Sequence, residues 1–371
     1  MIYFENASRG EEGLNTHVLS WTMCISLSNF LDRDFYFDCE IPCSTPPAYA
    51  LLPQFKDKFR LLIDSPRSNV SELLVIPNRR VSEIDRSTQS KAEFQLLYSH
   101  FATTADMKRR LEGTMVWDSF SVGRIAVVKE EMADVDLIEW THTKLCNPSI
   151  FYFLPREEKR RLLDSVKIRY IDSIEDLAAG IASDIGAHHA AHIRLGDYFK
   201  NYSADGYSID LDRFRLYAEK TFSEDSLPIL VATDGLEEKE LIIGILGQRA
   251  IFIDELVFDK YLTQYSALEI TDFNALTIIN QLLCASAEKF IGTYRSTFTS
   301  IIHRLRQERF NYNDFEFFPD DKVAKLLNGD GRIVPDRHGF FDWNRYSVFA
   351  EDHNSMSWMR EWDRELSAID V

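Results

Sequence analysis

The sequence predicts an α/β protein made of two units with parallel sheets, and three observations predict it. Short apolar runs of strand length alternate with amphipathic stretches of helical length. Repeated β-α units of this kind give a parallel, doubly wound sheet. The chain has 371 residues, of which 45% are hydrophobic and 13% aromatic, enough for two cores. No internal repeat and no low-complexity linker interrupts the pattern.

Element by element, "MIYFE" (1–5) reads as a strand, "NASRGEEG" as a polar loop, "LNTHVLSWTMCISLSNFL" (14–31) as a largely apolar helix and "DFYFDC" (34–39) as a second strand. That β-loop-α-β opening begins a parallel domain. Residues 50–150 mix basic and acidic runs with only moderate periodicity. From about residue 170 the pattern sharpens. "AAHIRL" (190–195), "PILVATD" (228–234), "AIFI" (250–253) and "KFIGT" (289–293) read as strands. Helices are expected over 210–222, 237–248, 271–286, capped by Thr271 or Asp272, and 296–309. The tail from 330, with "FFDWNRYSVF" and "WMREW", reads as an aromatic C-terminal extension.

Composition narrows the function. A net charge of −17 argues against a general nucleic-acid binder, which needs a basic face, but leaves room for a local basic pocket for one nucleotide. No run approaches the roughly 18 apolar residues of a membrane span. "MIYFENASRG" lacks the basic and apolar regions of a signal peptide, so a cytoplasmic protein is expected. Cys24, Cys39, Cys43, Cys146 and Cys284 are sparse and odd in number. No second Cys/His pair matches Cys39-x3-Cys43, so the set reads as reduced thiols rather than a zinc site.

In an open α/β sheet, ligands bind beyond the carboxyl ends of the strands. Three strands here carry polar groups at that end: His192, Arg194, Gly196 and Asp197 in "HIRLGDY", Thr233 and Asp234 in "VATDG", and the stretch Gly292 to Thr299. The last offers more hydroxyls than one helix cap needs. Either the helix is over-capped, or Gly292 admits a ligand and Ser296 and Thr297 at the helix start bind an anion, best a phosphate. Arg194 amid apolar residues needs an anion, which is Asp197 or a phosphate oxygen held bidentately. In "RGEEGLN" (9–15), Glu11 and Glu12 beside Gly13 either favour the helix dipole or supply a general base, with Asn15 donating to the ligand. His17 reads as a packing residue. His188 and His189, adjacent before a strand, cannot both face one site, and neither is assigned to catalysis.

"HIRLGD", "VATDG" and "FIGTYRSTFTSIIHRLR", in that order, resemble the three conserved segments of the GDP-fucose-dependent fucosyltransferases, most closely the protein O-fucosyltransferase branch. "GEEGLN" is similar to that branch's glycine-rich strand–helix loop, and the resemblance covers 10–31 and 188–310. It implies a GT-B-like fold of two Rossmann-like domains facing a cleft: 1–170 on the acceptor side, 171–330 binding GDP-fucose, then the 331–371 extension. It further implies inverting, metal-independent transfer of fucose to a protein or glycan hydroxyl, with no cofactor beyond the donor substrate. Arg194 would hold the β-phosphate and stabilise departing GDP, while Ser296, Thr297 and the Phe298 backbone cradle the phosphates. Asp234 and His192 would contact the nucleoside, with Gly13, Asp197 and Gly292 lining the donor site. Asn15 would lie near the β-phosphate and sugar, and Glu12, or alternatively Glu11, would be the base. The branch's secretory members carry signal peptides and disulfides, which are not seen here, so a bacterial or cytosolic acceptor is expected. Two other readings compete: a transferase using another nucleotide sugar, and an inactive GDP-sugar-binding scaffold with Trp343, Trp358 and Trp362 as a partner surface.

Overall fold

The computed structural model describes residues 2–4, 14, 15, 18, 22, 25, 35–37, 48–68, 70–75, 91–93, 137–140, 167–195, 211–293, 296–310 and 316–318. Glu11, Glu12, Gly13, His17, Asp197, the Cys39–Cys43 pair and the aromatic tail lie outside them.

Two parallel sheets form. The first joins β1 (Ile2–Phe4), β2 (Phe35–Phe37), β3 (Lys91–Glu93) and β4 (Leu137–Trp140) in the order β2-β1-β4-β3. The second joins β5 (His189–Ile193), β6 (Ile229–Thr233), β7 (Ala250–Phe252), β8 (Phe290–Thr293) and β9 (Glu316–Phe318) in the order β7-β6-β5-β8-β9. The central strands β5 and β8 are buried along their whole length and β6 is buried except at Thr233. Such strands are covered on both faces and therefore read as apolar runs rather than as alternation.

Among the described residues, six longer helices connect and cover the second sheet: α1 (Asp172–Ile185), α2 (Leu211–Phe222), α3 (Lys239–Leu246), α4 (Ile253–Lys260), α5 (Phe273–Ser286) and α6 (Thr297–Phe310). The helix expected over 237–248 is shorter. Its α-helical part stops at Leu246 because Gly247 turns to φ +71°, a backbone only glycine adopts without strain. Asp272, not Thr271, caps α5: its carboxylate accepts from the Asn274 and Ala275 amides and also from the Ser68 amide and hydroxyl. α1, which periodicity did not mark, is amphipathic, with Ile174, Ala178 and Ile181 buried at i, i+4 and i+7.

Helix α5 lies at the centre, buried at every residue from Asn274 to Ala285 and packed between α1, α6 and strands β5 and β6. It ends without a left-handed glycine. Instead Arg306, fully buried in α6, donates to the carbonyls of Ala285 (3.1 Å), Ala287 and Glu288 (3.2 Å), satisfying groups a helix end leaves open. Residues 48–64 pack against α4: Phe59 meets Phe258 edge-on at 4.9 Å, Lys58 pairs with Asp259 at 2.9 Å, and the Tyr49 hydroxyl donates to buried Asp254. Burial pushes the Asp254 carboxyl up to about 6, against the opposing pull of its Tyr49 and Asn280 hydrogen bonds. Leu14, Val18 and Ile25, on one face of the N-terminal helical stretch, join the same core as the second sheet. The N-terminal residues thus pack directly on the unit that carries the candidate site.

Candidate functional site

The carboxyl ends of β5, β6 and β8 lie side by side, with Ile193 paired to Thr233 and Ala191 to Ile291. Beyond them the strand ladder continues through side chains. Thr293 Oγ1 donates to the His192 carbonyl at 2.9 Å and accepts from the Arg194 amide at 2.9 Å. From the other flank, Asp234 Oδ1 accepts from the Leu195 amide at 2.6 Å. Two consecutive amides, those of Arg194 and Leu195, are therefore held from opposite sides, and the point from which the Arg194 side chain leaves the sheet is fixed. The sequence placed Arg194 within the strand. The strand ends at Ile193, and Arg194 follows it, half-buried.

His192 is buried, and its ring lies 4.4 Å from that of Phe298, tilted by 30°. Its Nδ1 is 2.8 Å from Thr299 Oγ1. Burial, helped by the Arg194 charge, pulls this imidazole down to about 3, so it is neutral at physiological pH. Gly292 serves this contact. A Cβ there would overlap the Thr299 side chain, so only a glycine lets Thr299 approach this strand end so closely. Gly235 is a second close approach: a Cβ there would lie 2.6 Å from Leu195 Cβ.

Helix α6 begins at Thr297 beside these strand ends, with Ser296 and Thr299 buried and Thr297 and Phe298 half-buried. Its first-turn amides and dipole make the start of α6 suited to an anion, with the Arg194 backbone anchored close by. Asn15 also reaches this unit, accepting through Oδ1 from Gln281 Nε2 of α5. The structure thus places Arg194, His192, Asp234, Gly292, Ser296, Thr297 and Phe298 around adjoining strand ends, and holds Asn15 against α5.

Sequence reasoning gave no individual role to Thr293 or Thr299 and did not single out Gln281. The two threonines fell within the candidate stretch Gly292 to Thr299 among its surplus hydroxyls. Gln281 did leave a signal: with Asn280 it forms an amide pair at the middle of a buried helix. The two histidines set aside do other work. His188 lies between the carbonyls of Gly186 (2.8 Å) and Leu283 (3.1 Å), and His189 faces the Asp225 carboxylate. Among the described residues no group of three or more His, Cys, Asp or Glu is arranged to hold a metal, and no helix is long and apolar enough to cross a membrane.

Comparison with solved structures bears on the fold. POFUT1 in complex with GDP-fucose superposes with a TM-score of 0.52 at 12% identity, over 85% of this chain and 97% of that one. POFUT1 in complex with GDP gives 0.51 at 13% identity, over 85% and 98%. The chain shares the fold of these POFUT1 structures. The fucosyltransferase NodZ from Bradyrhizobium is more distant, at a TM-score of 0.40 and 13% identity over 82% of this chain and 92% of that one. No family model and no curated protein sequence matches the chain.

Proposed function

We propose that this protein transfers fucose from GDP-fucose to a hydroxyl acceptor on a protein or glycan, with inversion and without a metal, in a GT-B-like arrangement of its two sheets. The observation that carries the reading is the Arg194 backbone, clamped by Thr293 and Asp234 beside the start of α6. The likeness in fold to POFUT1 bound to GDP-fucose supports the donor. In the reaction the acceptor oxygen attacks the anomeric carbon of fucose as the bond to the β-phosphate oxygen breaks. Negative charge grows on the departing GDP, and stabilising such charge with fixed donors is usually the largest catalytic contribution. Arg194 supplies the guanidinium, and the amides at Ser296, Thr297 and Phe298 supply fixed dipoles. Thr293 and Asp234 keep the Arg194 main chain in place, so little reorganisation accompanies charge development. Neutral His192 contributes hydrogen bonding and packing to the nucleoside side without adding a charge, beside the ring of Phe298. Glu12 accepts the acceptor's proton, and Asn15 donates to the β-phosphate.

Calorimetric binding of GDP-fucose in chelator, beside GDP-mannose and UDP-glucose, tests the proposal. The expected result is preferential, metal-free binding of GDP-fucose that Arg194→Ala removes. Preference for another donor would withdraw the fucose assignment. Absence of binding to all three would withdraw the transferase.

A further inference from the structure

A buried hydrogen-bond relay runs from the chain's midpoint to Asn15. The Tyr170 hydroxyl, on a fully buried ring, donates to Gln281 Oε1 at 2.6 Å, and Gln281 Nε2 donates to Asn15 Oδ1. Both donors come from rigid ground. Gln281 is fully buried in the middle of α5. Tyr170 sits in the antiparallel bridge to Leu74, and its own amide is held by Glu175 at 2.8 Å. Serial hydrogen bonds in a low-dielectric interior polarise one another, which stiffens the chain.

We infer that Gln281 is a positioning residue for Asn15. A side-chain amide has one accepting end and one donating end. Gln281 engages the accepting Oδ1 end, so the orientation of the Asn15 amide is set and its Nδ2 hydrogens are the donors left to meet a phosphate oxygen. Tyr170 fixes Gln281 in turn by engaging its Oε1. The inference rests on the GDP-fucose reading, because only a ligand oxygen gives the Nδ2 orientation a purpose. It accounts for a polar side chain at the centre of an all-buried helix, where an apolar residue would pack without a hydrogen-bonding demand. It also explains how a loop-proximal residue of the N-terminal stretch is registered against the unit that holds Arg194.

The test is steady-state release of GDP from GDP-fucose by the full chain, with melting curves as a check on folding. Gln281→Met keeps the length and removes both hydrogen bonds. Misplacement by about 1 Å can lower a rate roughly a hundredfold, so kcat should fall by about tenfold to a hundredfold while KM for GDP-fucose stays within about twofold. Combining Gln281→Met with Asn15→Ala should cost no more than Asn15→Ala alone, since the two act as one unit. Tyr170→Phe removes only the distal hydroxyl and should lower kcat by less, again without raising KM. It carries the test if Gln281→Met does not fold. Unchanged kcat in the folded variants, or a fully additive loss with Asn15→Ala, would overturn the inference while leaving the transferase intact. A wild-type chain that neither binds GDP-fucose nor releases GDP would overturn both.

Discussion

His189 and His192 stand three residues apart on β5, at opposite ends of the strand, and their surroundings differ in kind. His189, at the amino end, turns Nε2 to both oxygens of Asp225 at 2.9 Å and stacks on Phe222 at 5.2 Å. Around it charges meet in pairs near solvent: Lys289 with Glu224 at 2.7 Å, and Arg249 on the carbonyls that close α2. His192, at the carboxyl end, has a neutral hydroxyl for a partner and a guanidinium for a neighbour. One end of the sheet matches charge with charge. The other gathers hydroxyls, main-chain amides, the Asp234 carboxylate and Arg194 about the start of a helix, an arrangement suited to an anion.

The comparison is broken most severely at Arg194. Arg194→Ala should lower GDP release from GDP-fucose by about 100- to 1000-fold, while the main-chain clamp by Thr293 and Asp234, which uses no guanidinium, stays in place. Wild-type turnover in that variant would remove the distinction between the two ends. Gly292→Ala should act on structure first. The new methyl displaces Thr299, the His192–Thr299 hydrogen bond is lost, and denaturant unfolding should report a loss of about 1–3 kcal/mol.

His192 sharpens the comparison through pH. Its folded-state value, about 3, lies below the ordinary histidine range, so the unfolded chain binds the proton first. Its contribution to stability is therefore complete above about 6.5 and is lost as pH falls towards about 3, at up to about 1.4 kcal/mol per pH unit. His192→Gln should flatten the acid limb of the stability curve relative to wild type. Asp254, raised to about 6, has the opposite sign: its contribution is present at low pH and lost as pH rises through that value. The smallest effect is expected at the amino end. Asp225→Asn should lower thermal stability slightly and leave GDP release unchanged.

Much of the second sheet was legible because its strands are short, continuous apolar runs closed by polar residues, as "ILVAT" and "FIGT" are. The start of α6 was legible from its run of hydroxyls, and Arg194 from its apolar context. The rest depended on contacts between distant segments. Nothing local says that Thr293 bonds to both His192 and Arg194, or that Thr299 fills the space above Gly292. Strand β9 was missed because "EFF" is three residues long and becomes a strand only by pairing with β8. The relay through Gln281 joins residues 15, 170 and 281, and no periodicity reports such a meeting.

Arg306 ties the end of α5 to the body of α6 by several carbonyls at once. The two helices are thereby stitched into a single lever, with the hydroxyl-rich start of α6 on one arm and Gln281 on the other. Separating α5 from α6 would strip a fully buried guanidinium of those carbonyl acceptors, so the start of α6 and Gln281 are carried by one tightly joined pair of helices.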